Sequence, residues 1–204
     1  MSIIVEHEKR RKEILEKALD VFMDEGFEDA TFQKIADRCG ITRTTLYIYF
    51  KNKKEIFNYS IKQLLCEAEE SITAIRNDGN LTSAEKLKKV LSDIIDRLEK
   101  NRRLLSAILD YLLYLSRSDS DPETRVRRRT VRLRHILSSM VIEGIRKEEL
   151  AEVNVKDAVD MLYGLLESAI FRLVVLKRNS ISDLKQAACL TVNRLAAVQG
   201  LGIN

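Results

Sequence analysis

The chain reads as all-α. Apolar residues recur at spacings of three and four along nearly its whole length. It holds one proline, Pro122, and only seven glycines in 204 residues. No β-branched run marks a strand, and a sheet protein of this length needs more turn residues. With 45% hydrophobic content the chain can build a substantial core. About nine helices are expected, divided between a three-helix N-terminal unit over residues 1–55 and a larger helical unit over 56–204.

The first helix is expected from Lys9 to Glu25, with Ile14, Ala18, Val21 and Phe22 on one face and Gly26 as its left-handed C-terminal residue. Thr31 caps the second, whose buried stripe is Phe32, Ile35, Ala36 and Cys39, and Gly40 ends it. Thr42 caps a third, very short helix. Asn52 and Glu55 form a capping box for a fourth, running from Lys53 towards Arg76. Asn77-Asp78-Gly79-Asn80 is the clearest break in the chain, after which Thr82 with Glu85 opens a fifth helix. A sixth covers about 102–117. Asp121 caps the seventh, with Pro122 at its first helical position, and this helix reaches about Arg146. Asn154 with Asp157 opens an eighth, ending near Arg178. Ser180 with Asp183 opens the last, ending near Gly200.

Composition excludes several classes. A formal charge of +4 is only mildly basic, and residues 1–60 carry eleven Lys+Arg against eleven Asp+Glu, so any polyanion must be met by local placement of charge. Cys39, Cys66 and Cys189 are an odd number at wide spacing, which fits reduced thiols in a cytoplasmic protein. The opening MSIIVEHEKRRK lacks the apolar run of a secretory signal, and no uncharged stretch is long enough for a membrane span. No enzyme chemistry is indicated. The two histidines, His7 and His135, are isolated, the first in an end expected to be mobile. No Cys/His spacing makes a metal site, no glycine-rich phosphate loop is present, and no nucleophile has a base, so no cofactor is expected.

The informative stretch is Thr31–Phe50, TFQKIADRCGITRTTLYIYF. Two short helices meet at a tight turn. Ala36 and Gly40, four apart, suit a close crossing. Ile41 and Leu46 face the joint, and Phe32, Ile35, Cys39 and Phe50 close a small core with Val21 and Phe22. This is the pattern of a helix-turn-helix, whose second helix enters the DNA major groove. Arg43, Thr44, Thr45 and Tyr47 face outward with hydrogen-bonding groups, and Tyr49 follows as the helix ends. Helix N-termini at Thr31 and Thr42 suit phosphate. Lys51, Lys53, Lys54 and the run Lys9-Arg10-Arg11-Lys12 supply basic edges.

The block Thr31–Phe57 resembles the DNA-binding domain of the TetR (tetracycline-repressor) family. The matching positions are Thr31, Ile35-Ala36, Gly40-Ile41-Thr42, Leu46-Tyr47, Phe50 and Lys53. The resemblance covers roughly a quarter of the chain. It implies phosphate contacts from Thr31, Thr45, Tyr47 and Lys53, base contacts from Arg43 and Thr44, and either from Tyr49. Gln33 and Thr42 complete the DNA-binding set. Two positions depart from the family pattern. Thr44 stands where glycine or another small residue is common, and Ile48 where His, Tyr or Arg is common. Ile48 either touches a thymine methyl or packs.

Beyond about Ile75 the resemblance implies only architecture, a domain that binds a small-molecule inducer and forms a homodimer through its last two helices. The segment Val155–Val175 is apolar on more than one face, and Gly164, Ser168 and Ala169 allow close approach. Leu162, Leu166, Ala169 and Leu173, with Leu184, Ala188, Thr191, Leu195 and Val198, form the candidate dimer face. Asp110, Tyr111 and Tyr114, with His135 and Tyr163, are candidate pocket liners; a surface aspartate and core tyrosines are the competing reading. The six arginines of 125–134 surround the stripe Val126, Thr130, Leu133, Leu137 and Met140, and form either a solvated face paired with Asp119, Asp121 and Glu123 or an anion site. The function expected is a ligand-responsive repressor that binds a palindromic operator as a dimer. The alternative is a helical adaptor without specific DNA binding.

Overall fold

The computed structural model describes residues 2–117 and 122–196, with the side chains of 2–4, 64 and 122–129 left aside. Among the described residues there are nine helices and no strand. They are α1 (Ser2–Asp29), α2 (Phe32–Cys39), α3 (Arg43–Tyr49), α4 (Lys53–Asn77), α5 (Ser83–Lys100), α6 (Arg102–Arg117), α7 (Pro122–Arg146), α8 (Val155–Val174) and α9 (Ser182–Leu195). They divide into two units, residues 2–69 with 103–117, and 70–102 with 122–196. This differs from a cut at 55/56, because α4 runs on from Lys53 and α6 joins the first unit.

The first unit is built on an aromatic core. Phe22, Phe27, Phe50 and Phe57 are fully buried, and Phe27 and Phe57 meet the Tyr111 ring of α6 at centroid distances of 4.4 and 4.8 Å. Ala107, Tyr111 and Leu115, at four-residue spacing on α6, turn one buried stripe into this core. Each such ring contributes about 1.5–3 kcal/mol on leaving water, and this draws α6 into the unit. α1 starts seven residues earlier than its periodicity implies. Gly26 interrupts it with φ 78°, ψ 172°, an extended positive-φ conformation that only glycine adopts without strain, rather than the compact left-handed cap expected.

The second unit packs α5, α7, α8 and α9 on one another. The Thr82–Glu85 capping box forms in full, and Asn154 caps α8 by accepting from the Lys156 and Asp157 amides. Gly144 of α7 lies against Leu150 and Ser83, where a Cβ would come within 2.9 Å of the Ser83 Cβ. α8 stops at Val174, short of Arg178, and Lys177 takes a positive φ of 52° in the turn that follows. Ser180 does not cap α9. The N-cap position is Ile181, without a side-chain cap bond; its amide donates to Glu99 of α5 at 3.1 Å. α9 ends at Leu195 and Ala196 pairs with Leu150. Asp119, Asp121, Val198 and Gly200 lie outside the described residues, as do the side chains of Glu123, Val126 and Arg125, Arg127, Arg128 and Arg129. Of the remaining arginines of that run, Arg134 pairs with Asp160 of α8 and lies 5.2 Å from the Tyr163 ring centroid.

The candidate dimer face is corrected by burial. Leu162, Leu166, Ala169, Leu173, Leu184, Ala188 and Leu195 are all buried within a single chain, and half-buried Thr191 donates to the Ala187 carbonyl. That stripe is the second unit's own core. The opposite side of α8 is the exposed one, with Met161, Phe171 and Val175 at 50–57% exposure and nothing within 4 Å of a Cβ placed on Gly164.

Candidate nucleic-acid interface

α2 and α3 are set by local chemistry. The Thr31 hydroxyl accepts from the Lys34 amide at 3.2 Å. Gly40 takes φ 67°, ψ 35°, the left-handed conformation that ends α2, and its amide and that of Ile41 donate back to Asp37 and Ala36. No atom lies within 4 Å of a Cβ placed on Gly40. Glycine is therefore present for its backbone angles and not for the close helix crossing expected. The Thr42 hydroxyl accepts from the Thr45 amide at 3.0 Å and lies 2.8 Å from the Thr45 hydroxyl. At the start of α4, Asn52 accepts from the Glu55 amide, while Glu55 accepts from Lys51 rather than from Asn52, so the capping box is shifted by one residue.

Seven residues long, α3 rests on Leu46, which is fully buried. At about 100° per residue, Thr44 and Ile48 each point about 160° away from Leu46. Thr31, Gln33, Thr42, Arg43 and Thr44 are exposed, Tyr47 is 50% exposed, and Thr45 and Tyr49 are half-buried. The Arg43 guanidinium donates to the Tyr47 hydroxyl at 3.2 Å, and the Tyr47 ring sits 4.5 Å from that of Phe32. Gln33 donates to Asp37 at 2.8 Å. The surface thus offers a row of hydroxyls, an amide and a guanidinium around Ile48, which is 69% exposed. Packing within the chain is therefore not the role of Ile48.

Lys53 is placed differently from the expected phosphate contact. Its ammonium donates to the carbonyls of Phe27 at 2.9 Å, Glu28 at 2.7 Å and Ala30 at 2.9 Å, and lies 4.9 Å from the Phe27 ring centroid. An ammonium has three donors, and here all three are satisfied by the end of α1. Burial lowers the Lys53 pKa, opposed by the charges of Glu28 and Asp29. Lys53 therefore ties α4 to α1 behind the reading surface. The available signal was the set of unpaired carbonyls that every helix C-terminus leaves.

Two supports had no sequence signal. His7 is no free end; its ring stacks on Tyr49 at 4.6 Å, and one turn on, Arg11 lies 4.3 Å from the Tyr59 ring centroid. Asp24 of α1 is held by Arg38 of α2, at 3.1 Å, and by Arg103 of α6. These bonds from Arg38 and Arg103 hold its carboxyl below the usual carboxylate value. Cys39, buried at the base of α2, has its thiol pKa raised by burial.

The candidate pocket residues do not behave as a set. In the first unit Tyr111 is buried in the aromatic core, Tyr114 packs on Phe27 at 5.3 Å, and Asp110 is exposed. In the second, His135 is exposed and the Tyr163 hydroxyl donates to Thr130 at 3.1 Å. Among the described residues no group of three or more His, Cys, Asp or Glu is placed to hold a metal, and no helix is long and apolar enough to cross a membrane.

Residues 14–59 match the model of the tetR family of bacterial regulatory proteins. The chain is 28% identical over 170 residues to the fatty acid metabolism regulator protein of Bacillus subtilis, covering 80% of this chain and 84% of that one. Among solved structures, a TetR transcription regulator from Haloarcula marismortui superposes with a TM-score of 0.80 at 19% identity, covering 93% of this chain and 99% of that one. The transcriptional regulator FadR from Bacillus subtilis, solved in complex with stearoyl-CoA, superposes with a TM-score of 0.69 at 23% identity, covering 91% and 97%. The two solved relatives are named as regulators of transcription.

Proposed function

Because residues 14–59 match the model of the tetR family of bacterial regulatory proteins, we propose that the chain represses transcription by placing α3 of each of two subunits in successive major grooves of a palindromic operator. The observation that carries this reading is the presentation of α3. One residue, Leu46, anchors it, and every exposed neighbour except Ile48 ends in a hydrogen-bonding group. Arg43 and Thr44 reach base edges, while Thr31, Gln33, Thr42, Thr45, Tyr47 and Tyr49 hold phosphates or the helix that reads. Lys53 acts behind them.

The dimer forms on the outward face of α8. Met161, Gly164, Ser168, Phe171 and Val175 follow a 3-4-3-4 spacing, the seam of two helices packed side by side. Gly164 permits close approach at its centre. Leu190 of α9 is likewise exposed, at 64%. Symmetric pairing sets two recognition helices about 34 Å apart, and a ligand that prefers another arrangement releases the DNA by shifting that population. The names of the Bacillus subtilis relatives support a fatty acyl thioester as that ligand. The protein works in the cytoplasm, where its DNA is.

Fluorescence anisotropy against labelled DNA from upstream of the protein's own gene tests this, with scrambled DNA and a salt series as controls. Selective binding that weakens steeply with salt, and is released by long-chain acyl-CoA, is the expected result. Equal binding to both DNAs at every salt concentration overturns sequence-specific repression at that site, and absence of binding by folded dimer favours the adaptor.

A further inference from the structure

Ile48 is the most exposed large apolar side chain among the described residues, at 69%. It sits on the recognition helix, one turn beyond Thr44, on the side opposite the buried Leu46. The adjacent row is polar, with Arg43 donating to Tyr47. An isolated apolar side chain within a polar surface is too small for a protein partner, which needs about 800 Å² per side. It is the right size for one methyl group. In the major groove only thymine presents one, at C5 beside its O4 acceptor.

Resting on the DNA-binding reading above, we infer that Ile48 is a specificity-determining residue that packs on the C5 methyl of a thymine in each operator half-site, two to four base pairs from the base read by Arg43. The geometry supports the pairing. Ile48 lies about 6 Å along the helix axis from Thr44 at 1.5 Å per residue, close to two base steps of 3.4 Å. Thr44 and Ile48 therefore address bases about two steps apart. Cytosine, which lacks the methyl and offers a donor in place of O4, is rejected at that position.

Deoxyuridine substitution isolates the methyl, because uracil keeps every hydrogen-bonding group of thymine. The operator is first recovered by selecting tightly bound duplexes from random DNA, and each thymine is then replaced singly by deoxyuridine. At one symmetric position per half-site, the wild-type protein is expected to lose about three- to fivefold in affinity, the value of one buried methyl. Ile48→Ala binds the two DNAs equally, and Ile48→Val keeps most of the discrimination. Circular dichroism confirms that these surface variants are folded. Wild-type protein that selects a sequence but is indifferent to every thymine methyl overturns the inference alone. So does Ile48→Ala that discriminates as wild type does. Failure of folded wild-type protein to select any sequence overturns the proposed function, and this inference with it.

Discussion

The Lys53 ammonium donates to the Glu28 carbonyl at 2.7 Å, and its other two donors go to Phe27 and Ala30. A cation that closes the end of α1 in this way has no donor left for phosphate. Lys53→Met is expected to lower stability by about 1–3 kcal/mol, because it strands partly buried carbonyls. Operator affinity falls with it. A lysine on a phosphate contributes about one unit to the slope of log affinity against log salt. For Lys53→Met the slope should equal that of the wild type, and a slope reduced by about one would identify a phosphate contact instead.

His7 braces Tyr49 by ring stacking at 4.6 Å. Such pairs contribute about 0.5–1.5 kcal/mol, so His7→Ala should weaken operator binding about two- to tenfold with little change in Tm. His7→Phe keeps the stack and should restore affinity. Equal loss in both variants would mean that the imidazole nitrogens, not the ring face, are what matter.

Asp24 joins α1 to Arg38 of α2 and Arg103 of α6. Its folded pKa is depressed below 3.8, first by the hydrogen bond from Arg38 and then by that from Arg103. A depressed carboxylate contributes stability that is present above the unfolded value and lost as pH falls through the folded one. Asp24→Asn should therefore be less stable than wild type at pH 5–7, and the two Tm curves should converge as the pH falls through the depressed folded pKa, below 3.8. Parallel curves down to pH 2 would show that the ion pairs do not stabilise the unit.

Phe171 is 53% exposed on the outer face of α8, whereas Leu166 is buried. Phe171→Glu is expected to give folded monomers in sedimentation experiments, with operator affinity greatly reduced. Leu166→Ala should instead lose about 2–5 kcal/mol of stability from the cavity it leaves. Dimers that persist in Phe171→Glu, with monomers from a mutation elsewhere, would move the interface off this face.

Much of the site was legible because its determinants are local. Thr31, Gly40 and Thr42 act on amides and carbonyls within five residues of themselves, so the turn and both caps could be read from spacing alone, as could the Thr82–Glu85 box. Periodicity likewise identified the apolar stripes of α2 and α8. What periodicity does not carry is the identity of the partner that covers a stripe. Leu162, Leu166 and Leu173 are apolar at helical spacing whether they face α9 of the same chain or a second subunit, and only the packed structure assigned them to the chain's own core. The same holds for contacts between distant segments. Ser180 had the sequence of a cap, yet Glu99, eighty-two residues before Ile181, took the amide. Lys53 matched a phosphate-binding position, yet three carbonyls at and just beyond the end of α1 reached it first. Backbone chemistry within one turn of helix is written in the sequence, while the choice among competing long-range partners is made only when the helices pack.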